Sequence, residues 1–259
     1  MPTLNTFKVL PRLVNSLQLQ TFRDWRLLFV DGSASEEHSN WMHKICNEDT
    51  RIKFIKQDKN HKGIYGAMNQ GLSCAKKKDW ILFWGSDDWA FSRDTFAEII
   101  KLIKSFEKQN NLNTPDLIIG RGIYVAANNG RIKRFSRFSE RRNYLNNFNY
   151  SKALFFGNSP PHQATIIGPG ARLNSNIYND KFYLTSDLDF FLSLRAKKNL
   201  IVEIIKTEIV YMEDDGVSSK FTKLRIYEVL KTYLKHFKIF FFIPFILRYL
   251  KRIISRIYI

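Results

Sequence analysis

The stretch Trp80–Phe91, WILFWGSDDWAF, constrains this chain more than any other, because an almost wholly apolar run ends in two adjacent aspartates. An apolar run without polar alternation fits a strand buried on both faces of a parallel sheet. The spacing therefore predicts a strand over Asp79–Gly85 that emerges at Asp87 and Asp88. Two neighbouring carboxylates repel each other, and a protein accepts the pair when a positive charge sits between or beside them. The plainer alternative is a solvated turn in which Ser86 or Asp87 helps to cap the next helix.

The flanking sequence supplies a context for that strand. Val9, Leu10, Leu13, Val14 and Leu17 mark one face of a helix. RLLFVDG, Arg26–Gly32, reads as another buried strand, and RIKFIKQ, Arg51–Gln57, as a shorter one. A helix is expected over IYGAMNQGLSCAKK, and another from Ser92 to Phe106 with Phe96, Ile99, Ile100 and Ile103 on one side. Helices and strands in this order belong to the α/β class, in which ligands gather at the carboxyl ends of strands. Asp31 and the Asp87–Asp88 pair both lie at such ends. Beyond Asn113, two strands are expected to meet at Asn129-Gly130, a tight-turn pair. A basic stretch to Tyr150, the loop FFGNSPPHQATII and a helix over LTSDLDFFLSLRAKK follow.

A formal charge of +17 calls for an anionic partner. Cys46 and Cys74 have neither metal-ligand nor redox spacing, which fits reduced thiols in the cytoplasm. The N-terminus shows no basic region leading into a long apolar run, so no signal peptide is expected. From Lys220 to Ile259 ten Lys or Arg accompany a single acid, Glu228, interleaved with IFFFIPFIL. That run is too short to span a bilayer, which takes about 20 apolar residues. It fits a helix lying in a membrane interface, interrupted near Pro244, with the bases drawn to anionic headgroups. The alternative is a terminal helix pair packed on the domain or on a second copy.

From Pro2 to about Lys220 the chain resembles family 2 glycosyltransferases of the GT-A fold, notably those that build bacterial surface polysaccharides. PTLN, Pro2–Asn5, is similar to the Pro-Thr-Tyr-Asn that ends the family's first strand, and FVDGSAS to its nucleotide-binding segment. KGIYGAMNQGL resembles the segment beside the donor, GSDD the metal-binding motif, and PHQATII an acceptor-side loop. SDLDFFLSL resembles the helix start that carries the catalytic base, and GVSS a late loop. The resemblance implies a GT-A nucleotide-diphospho-sugar transferase fold: a mixed, mostly parallel sheet flanked by helices, with C-terminal amphipathic helices. It implies a donor half over about 1–112, an acceptor half over about 113–219, and a membrane-associating tail over 220–259.

The same resemblance implies an inverting transfer from a nucleotide-diphosphate sugar, first of all a UDP-sugar, to a glycan or lipid-linked oligosaccharide for surface polysaccharide. Asp88 would hold Mn²⁺ or Mg²⁺, answering the charge problem posed by the aspartate pair. Pro2, Asn5, Asp31, Lys62, Gly63, Asn69 and Asp87 are assigned to the donor, His162, Gln163 and Asp189 to the acceptor side, and Asp187 to the general base. The expected location is the cytoplasm, peripheral on the inner face of the membrane. Asp31-Gly32 could equally form a simple turn, Lys62-Gly63 a solvated helix start, and Ser186-Asp187 an N-terminal cap. Glu213, Asp214 and Asp215, just before Gly216, read as a charged surface loop, the alternative being that one of them approaches the metal.

The chain departs from the family pattern in four ways. The buried strand expected ahead of PTLN is missing, Leu4 replaces its tyrosine, Gly66 stands where Asp is common, and IIGRG replaces a segment that often carries Tyr-Gly-Asp, which leaves Arg121 either to read an anionic group or to lie on the surface. An inactive or truncated scaffold of the same fold is the competing reading. A nucleic-acid binder, using the bases of 131–142 with Phe135, Phe138 and Tyr144, is disfavoured by acids at the strand ends, which repel phosphate lacking a metal.

Overall fold

A computed structural model describes residues 1–109, 114–138, 143–172, 178–214 and 221–257, with side chains through residue 254. In chain order the elements are β1 (Pro2–Thr3), α1 (Leu10–Gln18), β2 (Leu27–Asp31), α2 (Glu36–Glu48), β3 (Ile52–Lys56) and α3 (Gly63–Ser73). Then come β4 (Trp89–Ala90), α4 (Thr95–Gln109), β5 (Leu117–Val125), β6 (Ile132–Ser136), β7 (Tyr144–Asn146) and α5 (Asn147–Phe155). The remainder is β8 (Thr165–Ile167), α6 (Pro169–Arg172), α7 (Ser186–Ser193), β9 (Ile201–Glu213), α8 (Thr222–Phe237) and α9 (Phe242–Ile257).

The strands form two sheets. β1, β2 and β3 pair in parallel, with Pro2 opposite Val30, Thr3 opposite Asp31, and Asp31 opposite Lys56. The second sheet runs β4-β9-β5-β6, with β7 on β9 and β8 on β5. Its β5–β9 pair is parallel and its other pairs antiparallel. A mostly parallel sheet thus describes the first half, whereas hairpins and short returns make the second half mixed. The strand thought missing is present in its last two residues, because Pro2–Thr3 pair with β2.

The apolar run corrects another expectation. Asp79–Gly85 is not a regular strand and keeps a bridge at Ile81, which exchanges bonds of 2.9 and 2.8 Å with Ile167. Among the described residues that bridge is the run's only strand-type pairing. The extended backbone still sends alternate side chains to opposite sides. Phe83 joins a core with Leu117, Tyr150, Tyr178, Phe191 and Tyr233, while Trp84 joins another with Leu13, Phe29, Met42 and Ile99.

Helix boundaries follow local chemistry. α1 buries Leu10, Leu13, Val14 and Leu17, the face read from sequence. α2 was not anticipated, although Ser35 caps it by accepting from the His38 N–H, and Glu36 and Glu37 fill its first turn. α4 starts at Thr95 rather than Ser92, since Ser92 Oγ accepts from Asp94 N and Ser92 N donates to Thr95 Oγ1. Ser92 therefore closes the turn that leads into the helix.

The tail is joined to the domain through α8. Val229, Tyr233 and Phe237 are buried in the second-half core. Buried Glu228 accepts from the N–H groups of Tyr183 and Leu184 at 2.7 and 2.8 Å. A separate unit beginning at residue 220 is thus not how α8 packs. The break between the tail helices falls at Lys238, which takes φ of 49°, and not at Pro244. Pro244 sits in the first turn of α9, where its missing N–H leaves no helical bond unmade.

Gly66, within α3, is fixed by close approach. A Cβ there would overlap the carbonyl carbon and oxygen of His61, which are backbone atoms and yield only if the loop moves. Gly66→Ala is expected to lose about 1–3 kcal/mol, the usual range for overpacking a tight site. Urea denaturation checks this; an unchanged midpoint would mean the 58–62 loop gives way freely.

Candidate active site

Three chain segments converge at the carboxyl ends of β1 and β2. Asn5, in the left-handed region at φ of 52°, donates its N–H to Ser33 Oγ at 2.5 Å. Thr6 Oγ1 donates to Ser86 Oγ at 2.9 Å. The segments that begin with Pro2, Asp31 and Ser86 are thereby held side by side, as expected for a donor pocket at strand ends.

Asp87 and Asp88 follow on the third segment. A Cβ built on Gly85 would lie 2.7 Å from Asp87 Oδ1 and 3.3 Å from Asp88 Oδ2, so the two carboxylates converge over this glycine. Asp88 is buried and accepts the Gly85 N–H at 2.5 Å. Burial, then the charges of Asp87 and Glu213, push the Asp88 carboxyl up to about 8. Burial also raises Asp87, with Glu213 adding to the effect and Arg12 opposing it. Arg12 is committed elsewhere: it pairs with Glu213 and its guanidinium lies 3.7 Å from the centre of the Trp89 ring.

Glu213 thus ends β9 beside the acidic pair, not in a surface loop. Asp214 turns away to Lys133 and Arg134, at 3.5 and 2.9 Å. Asp215 and GVSS, residues 216–219, lie outside the described residues. Among the described residues no three His, Cys, Asp or Glu side chains form a ready metal cage. A hard cation that keeps waters and takes diphosphate oxygens needs only one or two carboxylates. The buried Asp88 with no cation of its own, meeting Asp87 over Gly85, fits such an ion.

Asp31 is placed at the pocket but is already saturated. Its Oδ2 receives Lys56 Nζ at 2.6 Å and Oδ1 receives the Ser33 N–H at 2.9 Å, while His38 Nε2 lies 3.2 Å from Oδ1 without a hydrogen bond. These partners, Lys56 foremost, hold the carboxyl below its usual range despite burial. A direct contact from Asp31 to a base would displace one of them, so Asp31 acts here mainly as the anchor of Lys56 and Ser33. Lys56 was legible in principle, because parallel pairing sets it opposite Asp31.

One donor-side assignment changes, and two residues stay open to solvent. Asn69 is buried, and its amide clamps Tyr178: Nδ2 donates to the Tyr178 carbonyl at 2.8 Å and Oδ1 accepts its N–H at 2.7 Å. With both ends used, Asn69 is a structural clamp and not a donor ligand. Gly32 leaves less room than expected, since a Cβ there would lie 2.8 Å from Gln57 Oε1. Lys62 and Gly63 are exposed at the start of α3; Gly63, at φ of 71°, makes the turn, and Gln57 Nε2 donates to its carbonyl at 2.8 Å.

Around Asp187 the chain builds an aromatic wall. Asp187 is half-buried in the first turn of α7, and Tyr65 donates its hydroxyl to Oδ1 at 3.2 Å. Tyr65 stacks on Tyr178 at 5.6 Å, and the Tyr178 hydroxyl meets His162 Nε2 at 2.9 Å. His162 in turn stacks on Phe83 at 5.8 Å. Burial lowers the His162 pKa, so its ring is neutral near pH 7. Gln163 lends its carbonyl to Trp84 Nε1 at 2.9 Å. Tyr65 and Tyr178 were not singled out in the sequence, and no local signal marks either.

Asp189 corrects the acceptor-side assignment. Its carboxylate takes Lys235 Nζ at 2.9 and 2.8 Å and His236 Nε2 at 2.7 Å, both from α8. It joins the tail helix to α7. Asp187 has no such partner, which separates the two acids of one helix turn. Arg121 makes a 3.4 Å pair with Glu208 on the neighbouring strand.

Comparison with known proteins agrees with this arrangement. A PGL/p-HBAD biosynthesis glycosyltransferase from Mycobacterium bovis is 27% identical over 221 residues, covering 84% of this chain and 77% of its own length. The S. aureus TarS fragment 1–349 in complex with UDP-GlcNAc superposes with a TM-score of 0.63 at 19% identity, over 91% of this chain and 65% of that one. The chain spans 39% of the longer TarS chain. The Pyrobaculum calidifontis mannosyltransferase PcManGT, in complex with GDP-Man and Mn²⁺, gives 0.56 at 12% identity over 90% and 61%. At these identities the solved structures establish the GT-A fold. The family pattern described as glycosyl transferase family 2 matches residues 1–165, including the converging segments and the Asp87–Asp88 pair. On that match this chain belongs to glycosyl transferase family 2.

Proposed function

We propose that the chain transfers a sugar, with inversion, from a nucleotide-diphosphate sugar to a hydroxyl of a glycan or lipid-linked oligosaccharide destined for the cell surface. UDP is the first choice of nucleotide. The observation that carries the reading is Asp88, a buried carboxylate without a cation, converging with Asp87 where three strand-end segments meet. Asp88 would hold Mn²⁺ or Mg²⁺, with Asp87 on its water shell or on the ribose. A divalent ion bound there supplies positive charge against the leaving diphosphate.

The chain's own residues do the rest. Asp187 takes the proton of the acceptor hydroxyl as that oxygen bonds to the anomeric carbon and the bond to the diphosphate oxygen breaks. Tyr65 fixes Oδ1, which leaves Oδ2 for the acceptor. Attack from the face opposite the leaving group inverts the anomeric centre. Ser33, Asn5 and the Lys56 ammonium border the nucleotide side. His162 and Gln163 shape the wall behind the acceptor through the aromatic contacts. The nucleotide is identified by incubating the protein with UDP-, GDP- and dTDP-sugars plus Mn²⁺ and measuring released nucleoside diphosphate. Turnover of none of them, by a protein that melts cooperatively, would favour the inactive scaffold.

We also propose that the tail docks on an anionic membrane surface at the cytoplasmic face. Among the described residues no helix is long and apolar enough to cross a membrane. α9 exposes Phe242, Ile246, Leu250, Ile253 and Ile254, and Ile239 and Phe240 precede it at 75% and 59% exposure. Such a ridge on a basic helix suits the headgroup boundary. Ile246→Asp with Leu250→Asp is expected to weaken co-sedimentation with phosphatidylglycerol vesicles about tenfold, the two side chains being among the larger buried there. Equal sedimentation of variant and parent would remove the membrane from the account.

A further inference from the structure

We propose that Arg225 of α8 with Arg248 and Arg252 of α9 forms a binding site for a phosphate or diphosphate ester, distinct from the donor site. The two helices are folded back on each other, with Arg248 Nη1 donating to Tyr233 OH at 3.5 Å across the pair. Arg248 and Arg252 are one turn apart on α9, and the Arg252 guanidinium lies 5.5 Å from the Tyr249 ring centre.

Two features make this more than a basic surface. Arg225 Nε and Arg248 Nε are buried and have no hydrogen-bond partner among the described residues. A buried charged donor left unpaired is expensive, and an anion would relieve it. Arg252 sits within the fields of the other two guanidinium groups: burial first, then Arg248 and Arg225, bring it down to about 10. Nothing nearby offsets Arg225 or Arg248, since neither forms an ion pair with a carboxylate among the described residues. The acids on hand are occupied, Glu228 by the Tyr183 and Leu184 N–H groups and Asp189 by Lys235 and His236.

The ligand class follows from the donors. Guanidinium forks match phosphate oxygens in pairs, and three of them suit a group carrying two or more charges. Arg225 precedes Glu228 by one helical turn, and Glu228 holds the segment 183–185 that leads directly into the helix of Asp187. An ester seated there lies on the acceptor side of the molecule. Its assignment to the diphosphate of a lipid-linked acceptor rests on the proposed transferase function, whereas the anion site itself does not.

The test uses the whole chain in EDTA without nucleotide, with inorganic diphosphate as probe in a calorimetric titration. The parent is expected to bind one diphosphate, the Arg225→Gln/Arg248→Gln variant at least tenfold more weakly, and Asp88→Asn as well as the parent. No binding by the parent, or equal binding by the arginine variant, overturns the site. Without ligand the arginine variant should melt no lower than the parent, because charge repulsion is removed. If it does not fold, Arg248→Lys, which keeps the charge and loses the fork, should bind several-fold more weakly, and unchanged binding again overturns the proposal.

Vesicles separate the two sources of phosphate. Phosphatidylcholine vesicles carrying a polyprenyl diphosphate should recruit the parent tenfold better than the arginine variant. Phosphatidylglycerol vesicles of matched charge should recruit the parent and the charge-conserving Arg225→Lys/Arg248→Lys variant alike. Discrimination on phosphatidylglycerol only would overturn the acceptor assignment and give the site to bilayer headgroups. A parent that binds diphosphate yet no nucleotide sugar would defeat the transferase reading and leave this site standing.

Discussion

Asp88→Asn is expected to abolish metal-dependent donor binding and to lower sugar transfer about 10³-fold, roughly 4 kcal/mol of transition-state stabilisation. The same substitution should stabilise the metal-free protein at neutral pH. Burial and the neighbouring Asp87 hold the Asp88 carboxyl up near 8, against an ordinary value of 3.8. A raised carboxyl pKa means that the folded state keeps a proton which the unfolded state releases. Stability of the metal-free parent therefore falls as pH rises from about 4 to about 8, and is level above, by an amount on the order of 5 kcal/mol. Asn has no proton to lose, so the variant should show little of this decline. Urea midpoints at pH 5 and pH 8, with EDTA, read the effect directly. Saturating Mn²⁺ should restore the parent at pH 8 and leave the variant unmoved.

Asp187→Asn is expected to remove transfer by about 10²–10⁴-fold, the range for losing a positioned general base, with donor affinity unchanged. The two variants therefore fail differently: Asp88→Asn in binding the metal-bound donor, Asp187→Asn in kcat alone. Tyr65→Phe removes one hydrogen bond to Oδ1 and keeps the ring that stacks on Tyr178. It should lower kcat about tenfold, in line with the net worth of one bond to a charged group. Parallel transfer assays and UDP titrations separate the three. Equal kcat for Asp187→Asn and parent would move the base elsewhere on the acceptor side.

The reading of the sequence succeeded where local pattern and tertiary demand agree. The α1 stripe, the Leu27–Asp31 and Ile52–Lys56 strands and the turn at Gly130 are each written in periodicity or in one residue's backbone freedom. The Asp87–Asp88 pair was conspicuous because unlike chemistries abut there. The run before it misled for a tertiary reason: apolarity says that residues are buried, and a ladder also needs backbone partners, which among the described residues the run finds only at Ile81.

Side-chain direction was the larger gap. Asp187 and Asp189 were given different roles in sequence, but the partners of Asp189 come from α8, almost fifty positions away, which brings Lys235 and His236 to it. Asn69 was assigned to the donor from the resemblance of KGIYGAMNQGL to the family's donor segment; its partner is the backbone of Tyr178, a pairing no local pattern encodes. Glu213 was passed over for a similar reason. It sits among acids in sequence, and only β9, paired to Trp89–Ala90, carries it to Asp87 and Asp88. The tail showed its basic, apolar character plainly, while the burial of Tyr233 and Phe237 against the domain required the fold.

The central claim is a donor site that forms only with a divalent ion on Asp88. The most direct measurement is a calorimetric titration of UDP into the parent and Asp88→Asn, each with Mn²⁺ and with EDTA. The account predicts binding to the parent in Mn²⁺, at least a hundredfold weaker binding in EDTA, and no difference between the two conditions in the variant. Tight UDP binding in EDTA, or a variant that binds as the parent does in Mn²⁺, would contradict it.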